Sequence, residues 1–395
     1  MRKYLVVCAA MTLLCSLVRA QEAEDAGSGA VLSIIPRLDA GIIYGALDGD
    51  EEALIPTFGN TSLYTLFEGT FAGNWSFSMA NHWYGVDPWG ENAKGVFLTP
   101  AADLYHFNVP GLGNNAYNFL DWAYITWAPA PFEFTLGKQV TLMGGFEFDD
   151  YDFDVNPLLA SDIWNGYNCY NWGITAAWHT LKETSTVSFQ VSTNPLNNGI
   201  SFGAGWNGEY GPYSMKWSAL TYSIPGAEKP WDVLVCLGNR LTFGNFQITA
   251  DWFNHCADPL FISDDERYSA YHYSYPLTKG NTVIGSVLYS HGSGKFDIGA
   301  KAVWNGVDTT APYGYVKDDS GVLIPTPVPG IGAEYGDLPS VRAGLWGSWY
   351  PLKGSQALRI QAAAGLSNYF YVNEGGSVFA TLGATWNFEI PLWGN

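Results

Sequence analysis

The stretch Tyr170-Asn171-Trp172-Gly173-Ile174-Thr175-Ala176-Ala177-Trp178-His179 decides how the rest of the chain is read. Tyr170, Trp172, Ile174, Ala176 and Trp178 fall on one side of a period-two repeat; Asn171, Gly173, Thr175, Ala177 and His179 fall on the other. One side is aromatic and apolar and the other small and polar, so the stretch reads as a β-strand between two unlike surroundings. The pattern recurs. Trp75, Phe77, Met79 and Trp83 alternate with Ser76, Ser78, Ala80, His82 and Tyr84, and Phe296, Ile298, Ala300, Ala302 and Trp304 with Asp297, Gly299, Lys301 and Asn305. Near the end Val378, Ala380, Leu382, Ala384, Trp386 and Phe388 alternate with Thr381, Gly383, Thr385, Asn387 and Glu389.

A soluble β-sandwich alternates too, but it fills its apolar face with Leu, Ile and Val. Here the aromatic residues gather at strand ends. That placement suits a membrane-spanning barrel, whose apolar band faces lipid and whose Trp and Tyr girdles sit at the two interfaces. The expected fold is therefore all-β, a transmembrane antiparallel β-barrel in a bacterial outer membrane, in contact with lipid and lipopolysaccharide.

The chain opens with Arg2 and Lys3, runs through an apolar stretch from Tyr4 to Val18 and reaches Val18-Arg19-Ala20 before Gln21. This is the pattern of a cleaved secretory signal over 1–20. Leu14 and Val7 before Cys15 and Cys8 argue against acylation. A short polar lead-in over 21–31 then precedes a barrel expected over 32–395. No later uncharged apolar run approaches the roughly 20 residues a membrane helix needs, so any crossing is made by strands. Without Arg2, Lys3 and Arg19 the 18 basic residues become 15, against 37 acidic ones, a net charge near −22. Nucleic acid is a poor partner for such a chain. Mean hydropathy near zero with 16% aromatic residues fits an oily half averaged with a watery half.

Three cysteines follow the signal: Cys169, Cys236 and Cys256. An odd number argues against a disulfide framework. A hairpin turning near Gly244 would set Cys236 opposite about Asp251, too far from Cys256 for a bridge. Free thiols are expected.

Short turns and long connections alternate along the chain, as in barrels with short periplasmic turns and long external loops. The short ones are Ala72 to Asn74, Ala128 to Pro131, Thr180 to Glu183, Gly208 to Pro212, Phe243 to Gly244, Gly292 to Gly294 and Pro351 to Gln356. Between them lie eight outer connections: Leu47 to Thr61, Gly85 to Tyr117, Thr141 to Tyr167, Asn194 to Gly199, Ser223 to Lys229, Cys256 to Gly280, Gly306 to Ser340 and Asn368 to Gly376. Seven turns and eight loops join sixteen strands and leave both termini in the periplasm. Without the strand near Ile200 to Asn207 the number falls to fourteen. Eight strands fill with their own side chains, whereas sixteen leave an aqueous channel.

The third outer connection is the richest in charge, with Glu147, Asp149, Asp150, Asp152 and Asp154 close together after Gly144-Gly145 and among Phe146, Phe148, Tyr151 and Phe153. Folded inward, it would place carboxylates in a narrow constriction, where fields are strong and co-ions are excluded. Arg37, Lys138, Lys216, Lys301, Arg342 and Arg359 are expected on the lumen face, since a charge against lipid costs roughly 2–4 kcal/mol at the midplane. Together the two sets would form an eyelet with a transverse field; scattered wall charges at different heights are the plainer alternative.

Asp150, Asp152 and Asp154 begin like a calcium loop, but Val155 stands where the turn glycine belongs and Ser161 where the bidentate glutamate belongs. Gly292-Ser293-Gly294-Lys295 lacks the full phosphate-loop spacing. No zinc-type His-Glu pair or serine elbow occurs, so no cofactor, metal or catalytic set is implied.

Ala123-Tyr124-Ile125-Thr126-Trp127, a short Pro turn, then Phe134-Thr135-Leu136-Gly137-Lys138-Gln139 and Gly144-Gly145-Phe146-Glu147-Phe148-Asp149 resemble porins of the phosphate-selective O/P-like family, including its broad-specificity relatives. Gly238-Asn239-Arg240 with the hairpin to Asp251-Trp252 is similar as well. The resemblance covers about a fifth of the chain. It implies a sixteen-stranded, usually trimeric outer-membrane channel with an inward third loop. Phosphate selectivity does not carry over, because the matching loop is acidic here and only Lys138 matches a basic motif position. The resulting expectation is a non-enzymatic pore for small hydrophilic solutes, a homotrimer with the Leu358, Ile360, Ala362 and Ala364 row as a candidate contact face, with a surface-binding barrel of occluded lumen as the alternative.

Overall fold

A computed structural model describes residues 28–46, 52–57, 61–71, 74–84, 120–147, 159–161, 163, 170–180, 184–194, 199–223, 231–255, 280–307, 313–317, 323–327, 340–367 and 377–393. The strands begin with β1 (Gly29–Ala46), β2 (Glu52–Thr57), β3 (Ser62–Phe71), β4 (Trp75–Tyr84) and β5 (Leu120–Trp127). Next come β6 (Phe132–Val140), β7 (Tyr170–His179), β8 (Ser185–Asn194), β9 (Gly199–Tyr210) and β10 (Tyr213–Ser223). β11 (Trp231–Phe243), β12 (Phe246–His255), β13 (Gly280–Ser290) and β14 (Phe296–Val307) follow. After a separate hairpin of β15 (Tyr313–Lys317) and β16 (Leu323–Pro327) come β17 (Ser340–Trp349), β18 (Leu358–Ser367), β19 (Ser377–Trp386) and β20 (Phe388–Trp393).

Consecutive strands pair antiparallel around one sheet, and β1 closes it. On one edge β1 pairs with β3 through Gly29–Arg37 and with β2 through Gly41–Ala46, so β2 and β3 are two pieces of one crossing. On the other edge it pairs with β20 through Ala30–Ile34 and with β19 through Arg37–Gly45. The barrel thus has sixteen crossings and no open seam, which satisfies every ladder where no water is available. The fourteen-strand alternative is overturned: β9, which contains Ile200 to Asn207, is a 12-residue strand paired along its length with β8 and β10.

The strands flanking each of the seven expected turns are paired neighbours; residues 72–73 and 181–183 lie outside the described residues, and 208–210 and Phe243 belong to strands rather than to turns. Gly211-Pro212 and Gly244-Asn245 are two-residue links whose glycines have φ of 64° and 59°, the left-handed region that hairpin turns of matching twist require. The first outer connection is shorter than the expected Leu47 to Thr61, because Glu52–Thr57 pairs with β1. β1 also starts at Gly29, ahead of position 32. Cys236 is buried, free and opposite Phe253 rather than Asp251, since Phe243 pairs directly with Phe246; Cys169 and Cys256 lie outside the described residues.

Alternation fixes the two faces. Leu38, Leu136, Ile174, Phe189, Leu345 and Leu382 are each more than half exposed on the outside. Beside the short turns, aromatic rings touch across strands, Trp75 on Trp127 at 5.9 Å, Trp127 on Phe134 at 5.8 Å and Phe246 on Tyr289 at 5.0 Å between centroids, and along the last crossing Trp386 stacks on Phe388 at 4.5 Å. This row is the periplasmic girdle that the strand-end Trp residues announce.

The inner face departs from the small, polar wall expected. Ile35, Tyr64, Leu66, Ala80, Trp122 and Tyr124 form one buried inward cluster, and Leu220, Leu234, Cys236, Phe253, Ile284 and Val303 form another. Ala160 and Ile163 of the third outer connection pack on the second cluster, so those wall residues face protein rather than water.

Candidate functional site

The described ends of the third outer connection, 141–147 leaving β6 and 159–161 with 163 farther on, lie against the inner wall of the barrel. Its first limb is fitted to that wall residue by residue. Leu142 N donates to Gln190 Oε1 at 2.9 Å, while the Leu142 side chain lies over Gly203 and Gly205 of β9. Gly144 N donates to Ser218 Oγ at 2.6 Å and Gly145 N to the Lys216 carbonyl at 3.0 Å. Gly145 is left-handed (φ 86°), and a Cβ at Gly238 would sit 2.6 Å from its Cα, so these two glycines let loop and wall backbones meet.

Asp251, on the inner face of β12, accepts hydrogen bonds from Phe146 N (2.7 Å) and Glu147 N (3.0 Å) through Oδ2. The Phe146 ring lies under the Arg240 guanidinium, 3.9 Å from its centroid, with Lys216 Nζ at 5.5 Å. Such cation–ring contacts contribute about 0.5–2 kcal/mol, more as water is excluded. Glu147 is buried, and its Oε1 accepts from Lys301 Nζ at 2.9 Å. On the returning limb Ser161 N donates to Glu147 Oε1 at 2.8 Å, Ser161 Oγ donates to Glu147 Oε2, and an Arg342 Nη1 donates to the Ala160 carbonyl. Leu159 packs with Ile43 and Phe379, across the barrel seam.

Arg37, Lys216, Lys301, Arg342 and Arg359 lie on the inner face. Arg37 sits 5.6 Å over the Tyr64 ring, and Arg359 donates to Thr385 Oγ1 at 3.4 Å. Lys138 is a correction. It shares its face with Phe134 and Leu136, opposite Thr135 and Gln139, and its Nζ donates to the Leu120 carbonyl at the external end of β6. A lysine near a strand end can keep its stem against apolar surface and lift its ammonium to the interface, so its charge does not force it inward. Asp149, Asp150, Asp152 and Asp154 lie outside the described residues.

Sequence reading missed Arg240, Asp251 and Ser161. The signal available for Arg240 and Asp251 was their phase, since each alternates with outward apolar residues on its strand. Ser161 carried none. The wall of β6 to β9 has a different character, with hydroxyls and amides linked in a chain. Asn171 Nδ2 donates to Thr141 Oγ1 at 2.8 Å, Thr175 Oγ1 to Gln139 Oε1 at 2.6 Å and Gln190 Nε2 to Thr175 Oγ1 at 3.0 Å. Such groups keep a wall wettable without adding charge.

No protein-family model matches the chain, and none of the curated proteins does. Among solved structures it is similar to the outer-membrane channel DcaP of Acinetobacter baumannii, with a TM-score of 0.55 and 12% identity over 92% of this chain and 98% of that one. It is also similar to the in-vitro folded trimer form of OmpT, an outer-membrane protein of Vibrio cholerae, with a TM-score of 0.51 and 9% identity over 92% and 100% of the two chains. These likenesses concern the fold. The closed sheet, the apolar exterior and the aromatic girdle define a sixteen-stranded β-barrel of the bacterial outer membrane. Its architecture is that of the outer-membrane channels.

Proposed function

We propose that this barrel is a porin, through which small hydrophilic solutes and ions diffuse passively along the lumen beside the third loop. The observation that carries the reading is the docking of both described limbs of that loop on the inner wall of a barrel of sixteen strands, a number whose girth leaves room for an aqueous channel. The hydroxyl and amide wall of β6 to β9 supports a wet passage. The quoted motifs ally the chain with the broad-specificity side of the phosphate-selective O/P-like porins.

Asp149, Asp150, Asp152 and Asp154 are proposed constriction carboxylates, because Glu147 and Leu159, on either side of their segment, lie within the barrel. Arg37 and Arg359 supply basic wall charge, while Lys216, Lys301 and Arg342 engage the loop. With 37 acidic residues against 18 basic in the whole chain, mild cation preference follows. Purified protein in planar bilayers tests this: stepwise conductance with a reversal potential on the cation side of a KCl gradient is expected. Clear anion preference would overturn the selectivity, and absence of both conductance and liposome swelling would favour a surface-binding barrel instead. A homotrimer is proposed as the assembled form.

A further inference from the structure

We propose that Glu147 is a positioning residue that ties off the neck of the third loop and so sets the constriction, an inference that rests on the channel reading above. One carboxylate joins both limbs. Its Oε1 receives Lys301 Nζ at 2.9 Å and Ser161 N at 2.8 Å, and its Oε2 receives the Ser161 hydroxyl. The Glu147 amide is held by Asp251 at 3.0 Å, and Ala160, beside Ser161, is held by Arg342. The knot thus ties the loop to β12, β14 and β17 at once, and both ends of segment 148–158 are fixed there.

A carboxylate this deeply buried is retained only where donors replace its water, and here an ammonium, an amide and a hydroxyl do so. Closing the chain at Glu147 and Ser161 also leaves a much shorter ring than the whole span from β6 to β7, and a shorter closed ring has fewer conformations. The most N-terminal member of the acidic run is therefore a fastener, and its charge is neutralised by Lys301 rather than offered to solutes.

The test uses full-length protein folded into bilayers, with Glu147→Ala, Glu147→Gln and Lys301→Met as variants. In Glu147→Ala, hydrogen exchange at the amides of 144–147 and 159–163 should quicken at least tenfold. Open-channel current noise should rise several-fold, and the reversal potential should move toward anions as Lys301 loses its counter-charge. Glu147→Gln keeps an oxygen for the Ser161 amide and should fall between Glu147→Ala and the parent in exchange and noise. The folded band on cold SDS gels reports barrel integrity; if Glu147→Ala does not fold, the other two variants decide. Exchange unchanged in the folded variants would overturn the clamp even if the parent conducts well. A parent that does not conduct, with exchange quickened in the variants, would keep the clamp and refute the channel.

Discussion

Gly238 makes the docking of the third loop depend on one missing methyl group. A Cβ there would lie 2.6 Å from Gly145 Cα and 2.9 Å from Asp251 Oδ1, both backed by buried neighbours with little room to yield. Gly238→Ala should therefore displace the loop, costing about 1–3 kcal/mol by overpacking, and should change single-channel conductance while the barrel still folds. Conductance identical to the parent would mean that the loop is not seated as described. At this scale the sequence was only half readable. Arg37, Lys216, Lys301, Arg342 and Arg359 can be assigned a face from their phase, because alternation is a local property of a strand. Lys138 was misplaced because its charge was given more weight than its phase with Phe134 and Leu136. The pairing of Glu147 with Lys301 spans 154 positions, and no local pattern encodes so distant a partner.

A strand in this barrel has two solvents, and substitutions on its two faces should differ accordingly. Leu345 of β17 is exposed on the lipid side and Ser286 of β13 lies on the lumen side, both within crossing strands. Leu345→Arg should cost roughly 2–4 kcal/mol near the midplane, whereas Ser286→Arg, on the lumen face opposite Lys301, should cost less than that and shift ion selectivity. Urea titration of folding into vesicles measures the first, and reversal potential the second. Equal losses at the two positions would contradict the assignment of faces. The elements themselves were largely legible: the expected turns Gly208 to Pro212 and Phe243 to Gly244 contain the glycines at which β9–β10 and β11–β12 reverse, and seven such turns with eight outer connections give the sixteen crossings. The inward apolar clusters were not legible. Leu220, Leu234 and Phe253 belong to the polar phase of their strands, and their apolar character makes sense only once Ala160 and Ile163 cover them.

For the whole molecule, the proposed trimer needs a flat outer face. Ala362 and Ala364 of β18 point outward beside Ala380 of β19, so a neighbouring barrel could approach closely there. Ala362→Trp or Ala364→Trp should weaken trimers on cold SDS gels, and unchanged migration would exclude that face. The way the cylinder closes has its own kinetic consequence. Both neighbours of β1 across the seam, β19 and β20, lie at the opposite end of the chain, so the contacts that complete the wall are among the most distant in sequence. Their loop-closure entropy must be met before any reward from the final ladder arrives. A chain truncated before Ser377 would keep most of its hairpins yet expose two raw edges to any passing strand. Completion of the ring, more than formation of any hairpin within it, is thus the event expected to be slow and hazardous in the birth of this protein.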